Sequence, residues 1–184
     1  YDSAGLALVN ASGLQRLRAV GRVAELTAQA DALAASSQTG IAHTRWATHG
    51  VPCERNAHPH VSAGLAVVHN GIIENHEALR ARLKAEGYEF TSDTDTEVVA
   101  HLIAAELKRN PDFFAATRAA IGQLQGAYAL AVLRETEPQR IIVAREGSPL
   151  LLGLADDGNY AASDASALLQ VTRRIVYLEN GDCA

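Results

Sequence analysis

Two runs in this sequence carry no polar alternation, Leu65-Ala66-Val67-Val68 and the stretch from Gly126 to Leu133. A strand with one wet face alternates apolar and polar residues. A short run that is apolar throughout reads instead as a strand covered on both faces. The order of elements indicates what the cover is. Residues 3–9 and 14–20 read as a hairpin around Asn10-Ala11-Ser12-Gly13. Val23, Leu26, Ala30 and Leu33 recur at helical spacing, which predicts a helix over 22–35. Asn75 is an expected N-cap for a helix ended by Gly87. Thr94 or Asp95 is an expected cap for a helix presenting Val98, Val99, Leu102, Ile103 and Leu107. A further helix is expected from Pro111 or Asp112 to about Leu124. Residues 88–90 are expected as a short strand. Asn70-Gly71 is expected as a tight turn closing the Leu65 strand. The last third is strand-rich: 126–133, 140–144, 150–154, 160–163 and 175–178, with one or two helical turns at 164–169. Strands, then helices, then strands predict an α+β fold of antiparallel sheets stacked with helices outside.

The chain has 184 residues, enough for one domain with a sizeable core, so residues 1–184 are read as a single unit. Sixteen Lys and Arg stand against 21 Asp and Glu, for a net charge of −5 with no basic cluster. That argues against a nucleic-acid partner. No apolar run is long enough to span a bilayer, which argues against a membrane partner. Cys53 and Cys183 are too far apart and too few for a disulfide framework, so a reducing cytoplasm is the simpler expectation. The chain starts at Tyr1 and has no Met, so the expectation is that a first segment was removed or lies outside the sequence.

Chemistry concentrates around Ile41-Ala42-His43-Thr44-Arg45-Trp46-Ala47-Thr48-His49-Gly50. An arginine offers a planar fork for a carboxylate. The chain's only tryptophan beside it offers a rigid wall, and Gly50 permits a turn. Two readings stand: a loop closing over a small carboxylate ligand, or a strand end whose Arg pairs with a surface acid and whose Trp caps the core. His43, His49, His58, His60 and His69 prompt a metal test, but no recognised ligand spacing accompanies them, so no metal is expected. Cys53 reads as an incidental thiol rather than a nucleophile. Asn70 offers an amide and Gly71 an unshielded N–H, which together make an oxyanion hole or a plain turn. Asp93 and Asp95 either cap a helix or hold an ammonium. Taken together, an Arg for a carboxylate, an Asp for an ammonium and an Asn-Gly for an oxyanion describe an α-amino acid with a reacting side-chain carbonyl.

The segments His43 to Gly50, Asn56-Ala57-His58-Pro59-His60, His69-Asn70-Gly71-Ile72-Ile73-Glu74-Asn75 and Thr94-Asp95-Thr96-Glu97 resemble the class II glutamine amidotransferases. Tyr1-Asp2-Ser3-Ala4-Gly5 and Leu178-Glu179-Asn180-Gly181-Asp182 fit the same family, so the resemblance covers essentially the whole chain. The Arg-Trp-Ala-Thr-His-Gly form is closest to the branch that aminates fructose-6-phosphate, and differs from the purine-pathway amidophosphoribosyltransferases. The resemblance implies a four-layer αββα N-terminal-nucleophile hydrolase fold, needing no cofactor. It implies L-glutamine as ligand, with Arg45, Thr48 and His49 at its carboxylate, Asp95 at its ammonium, Asn70 and Gly71 as oxyanion donors, and Trp46 in a closing loop. It implies a sugar isomerase domain in the same full-length chain, acting on fructose-6-phosphate, and a homodimer. The family's nucleophile is an N-terminal cysteine, whereas this chain begins with Tyr1. The expectation is therefore a glutaminase domain truncated at its start and inactive alone; the alternative is a non-catalytic glutamine-binding or regulatory module.

Overall fold

The computed structural model describes residues 1–46 and 50–184. Among the described residues, three antiparallel sheets and five α-helices make up the fold. The first sheet has order β2-β1-β3, from β1 (Ser3–Asn10), β2 (Gly13–Val20) and β3 (Gly40–Arg45). The second has order β4-β5-β6-β7, from β4 (His60–Ser62), β5 (Leu65–Ile73), β6 (Gly126–Arg134) and β7 (Ile141–Glu146). A small third sheet joins β8 (Leu151–Leu154), β9 (Asn159–Ala162) and β10 (Ile175–Tyr177) in the order β10-β8-β9. The helices are α1 (Val23–Ala32), α2 (His76–Ala85), α3 (Glu97–Arg109), α4 (Phe113–Ile121) and α5 (Ala165–Leu168).

The period-two geometry of the strands sorts their side chains into layers. On β5, Leu65, Val67 and Ile73 face one way, and Ala66 and Val68 the other. The first set packs with Leu130 and Val132 of β6 against Leu79, Leu83, Leu102, Ile103 and Phe113 of α2, α3 and α4. The second set, with Leu133, meets Ala7, Val9 and Ile41 of the first sheet. Ala129 and Val143 meet Leu150 and Leu178 beside the third sheet. On the far side of the first sheet, Ala4 and Ala19 receive Leu26 of α1. The layers are therefore helix, sheet, sheet, helices: an α+β sandwich of the expected αββα type. Each Leu, Ile or Val fully buried in it contributes about 1.5–3 kcal/mol. Helix α3 is buried from Glu97 to Glu106 on every face, as a helix enclosed by a sheet and two neighbours must be.

Four local expectations fail for identifiable reasons. Asn70-Gly71 is not a turn: β5 runs through it, pairing Asn70 with Ala129 and Gly71 with Tyr128. Gly71 has φ 139°, and a Cβ there would lie 2.1 Å from the Ala127 carbonyl oxygen, so the glycine serves a close strand approach. Residues 88–90 are irregular; Tyr88 and Phe90 instead pack their rings around His101. Asn75 stands at the start of α2 but does not cap it. Its side chain bridges away, donating to Gln123 O at 2.9 Å and accepting from Gln125 N at 3.0 Å. Neither Thr94 nor Asp95 caps α3, which starts after Thr96. The three-residue strand β4 had no counterpart among the expected strands.

Candidate functional site

A cavity of about 340 Å³ opens where β3 and β5 end and the loop before α3 begins. Arg45, Trp46, Asn70, Gly71 and Asp95 all line it, so these five sequence candidates converge on one place. Thr48 and His49 lie outside the described residues. Asp93 does not reach the cavity; it is half-exposed and forms an ion pair with Arg55 at 2.6 Å.

Arg45 is the last residue of β3 and is buried. Its guanidinium lies 3.5 Å from the Asp2 carboxylate and donates to the Gly50 carbonyl at 3.0 Å. Asp2 is brought there by the β1–β3 ladder, where Asp2 N also donates to Arg45 O. The acid beside Arg45 is thus partly buried. Trp46 is 77% exposed and does not cap the core, which removes half of the bland reading of that strand end.

Asp95 is buried and accepts from the Ile73 N–H of β5 at 2.8 Å, across 22 positions of chain. The loop carrying it is fastened from several sides. Asn56, fully buried, donates to Val51 O at 3.0 Å and accepts from Asp93 N at 2.9 Å. Arg80 of α2 donates to the carbonyls of Ser92 and Thr94 with its guanidinium over the Phe90 ring. Glu97 accepts from the N–H and the hydroxyl of both Thr91 and Ser92. Burial pushes the Glu97 carboxyl up, but hydrogen bonds from His101, Thr91 and Ser92 together hold it well below the usual carboxylate range.

Histidines form the floor, a role the sequence did not reveal. His43 stacks on His58 at 4.3 Å, and His58 meets His60 edge-on at 5.0 Å. His58 Nδ1 accepts from the His69 N–H at 3.3 Å, next to Asn70. Gly5 of β1 makes room, since a Cβ there would meet the His58 carbonyl oxygen at 2.0 Å. Arg18 donates to the carbonyls of Arg55 and Ala57, both at 3.2 Å, and ties the same segment to β2. Burial holds every one of these rings neutral: His43 is lowered to about 4 and His60 to about 3, with His58 and His69 lowered as well. Among the described residues no group of three or more His, Cys, Asp or Glu side chains is placed to hold a metal ion. Neither Cys53 nor Cys183 lines the cavity.

An interior arginine, an interior aspartate and an Asn-Gly pair thus surround one cavity. The sequence matches the family described as the glutamine amidotransferase domain over residues 43–170, and the chain belongs to that family. It is 61% identical to the glutamine–fructose-6-phosphate aminotransferase (isomerizing) of Acidithiobacillus ferridurans and 56% identical to that of Pseudomonas syringae pv. tomato. Each alignment covers 100% of this chain and 30% of the relative, so the chain spans about a third of the length of these curated proteins. Among solved structures, the glutamine phosphoribosylpyrophosphate amidotransferase from B. subtilis superposes with a TM-score of 0.81 at 27% identity, over 99% of this chain and 40% of that one. The fold is that of the N-terminal-nucleophile amidotransferases.

Proposed function

We infer that the cavity binds L-glutamine and that the chain is the glutaminase part of an enzyme that passes glutamine nitrogen to fructose-6-phosphate. The observation that carries this is the convergence of Arg45, Asp95 and Asn70-Gly71 on one cavity of amino-acid size. In this reading the Arg45 fork takes the α-carboxylate and Asp95 the α-ammonium. The Asn70 amide and the Gly71 N–H receive the oxyanion that develops on the side-chain carbonyl when it is attacked, a contribution of roughly 10²–10³ in rate per donor. Trp46, exposed at the rim, belongs to the loop that closes over the ligand, with Thr48 and His49 assisting Arg45. The products of hydrolysis are glutamate and ammonia. The identity to aminotransferases over the whole chain supports fructose-6-phosphate as the acceptor, on the sugar isomerase region of the full-length protein. A homodimer in the cytoplasm belongs to the same reading.

Among the described residues no helix is long and apolar enough to cross a membrane. The second reading is a module that binds glutamine without hydrolysing it. Ammonia release on adding glutamine separates the two.

Calorimetric titration with L-glutamine tests the site. Arg45→Lys replaces a planar fork with a point charge and is expected to weaken binding about tenfold or more. Unchanged affinity would remove Arg45 from the carboxylate.

A further inference from the structure

Asp95 stands between two threonines, and each is tied to a different buried histidine. Thr94 Oγ1 lies 3.0 Å from His60 Nε2. Thr96 Oγ1 lies 2.9 Å from His69 Nδ1. All four side chains are almost completely buried. The second pair has a defined polarity. His69 Nε2 faces the Ala127 carbonyl oxygen at 3.4 Å, and a carbonyl only accepts, so Nε2 carries the proton. Nδ1 is then the acceptor, and the Thr96 hydroxyl donates to it.

That polarity matters because His69 Nδ1 is 3.9 Å from the Asp95 carboxylate, its one ion-pair contact among the described residues. A proton on Nδ1 would turn this contact into an internal ion pair and compensate the carboxylate within the protein. With the Nδ1 lone pair engaged by the Thr96 hydroxyl, the ring offers the Asp95 carboxylate no N–H, and the negative charge is left to the cavity. The other titratable groups around His69 act in the same sense. His43 stacks on His58, His58 accepts from the His69 backbone, and both rings are neutral, so neither supplies a counter-charge. Burial lowers His69 although Asp95 pulls it the other way.

We propose that Thr96 is a positioning residue, whose hydroxyl donates to the Nδ1 that the Ala127 carbonyl leaves unprotonated, holds the His69 ring in that orientation and so reserves the Asp95 carboxylate for the ammonium group of the ligand. This rests on the reading that Asp95 meets the ligand α-ammonium. Thr96 lines the cavity beside Asp95, and its proposed action is through the His69 ring.

Two ligands isolate the effect. L-glutamine carries the α-ammonium, and glutaric acid monoamide keeps the carboxylate and the amide but lacks it. Their calorimetric affinities give a preference ratio for the ammonium. In Thr96→Val, which keeps the shape and removes the hydroxyl, glutamine affinity is expected to fall at least tenfold while the monoamide stays within twofold. Thr96→Ser restores the ratio. Parallel loss of both ligands, or a ratio equal to that of the parent chain, overturns the proposal. If the parent chain binds glutamine no better than the monoamide, the Asp95 reading fails first. Histidine ¹⁵N NMR of the parent chain provides a test without any variant: a neutral His69 protonated on Nε2 is expected, and an Nδ1–H or imidazolium signal is overturning.

Discussion

At the scale of single residues, the site depends on a glycine as much as on its charged groups. Gly71 pairs with Tyr128 in mid-strand at φ 139°, with the Ala127 carbonyl oxygen 2.1 Å from where a Cβ would stand. Two rigid backbones meet there, so an alanine has no flexible neighbour to displace. Gly71→Ala is expected to cost more than about 4 kcal/mol, at the exceptional end for one substitution. For a domain of this size that corresponds to a fall of roughly 8–16 °C in melting temperature. A thermal unfolding scan within 2–3 °C of the parent would show that β5 and β6 separate locally at little cost. The same residue marks what was legible in the sequence. Asn-Gly, Arg-Trp and Asp in a Thr-rich stretch stand out by residue type alone, and five of these candidates line one cavity. The conformation of Gly71 was not legible, because Asn-Gly signals a turn unless a partner strand imposes otherwise. The partners of the threonines flanking Asp95 were equally hidden. His60–Thr94 and His69–Thr96 join positions 34 and 27 residues apart, and nothing in the local pattern announces such pairs.

Among the elements, α3 is organised by its first residue. Glu97 reaches back from the helix start to four donors on Thr91 and Ser92, where a carboxylate also meets the positive end of the helix dipole. The loop that presents Asp95 is thereby closed on itself. Glu97→Gln keeps the size but turns one acceptor into an NH₂ facing donors in a buried pocket. The expected cost is about 2–4 kcal/mol, read as a lower denaturant midpoint with an unchanged slope. An unaltered midpoint would show that the four donors find other acceptors. Helix boundaries were predictable where periodicity was long. The expected helix over 22–35 is observed as Val23–Ala32, and the one ending at Gly87 as His76–Ala85. None of the expected caps forms, because their side chains are drawn to distant partners: Asn75 is taken by the loop after α4, whereas Asp112, expected only as a helix start, accepts locally from Ala115 N at 2.7 Å. Strand β4 escaped notice because three residues are too few to establish a period.

For the molecule as a whole, the buried imidazoles set a stability profile distinct from that of the carboxylates. His43 and His60 are pushed by burial to about 4 and about 3, against an ordinary value near 6.5 in the unfolded chain. Their folded-state values are depressed, so below pH 6.5 the unfolded chain binds protons that the native chain refuses. Stability is therefore full above about pH 6.5 and is lost as pH falls from there towards the folded values. At pH 5 each of these two rings accounts for about 2 kcal/mol, or roughly 4 kcal/mol together. His58 and His69 shift in the same direction and add to the loss. Glu97 is also depressed, but its contribution is lost only below about pH 4, where carboxylates in the unfolded chain take up protons. The two windows do not overlap between pH 6.5 and 5, so a loss there belongs to the histidines. Chemical denaturation at pH 7, 6 and 5 is expected to give free energies falling by several kcal/mol. Calorimetry in buffers of different ionisation enthalpy should find roughly two or more protons taken up per molecule unfolded at pH 5. A flat profile across that range, or uptake below one proton, would mean that these imidazoles are hydrated and titrate normally, and that the floor of the cavity is wet.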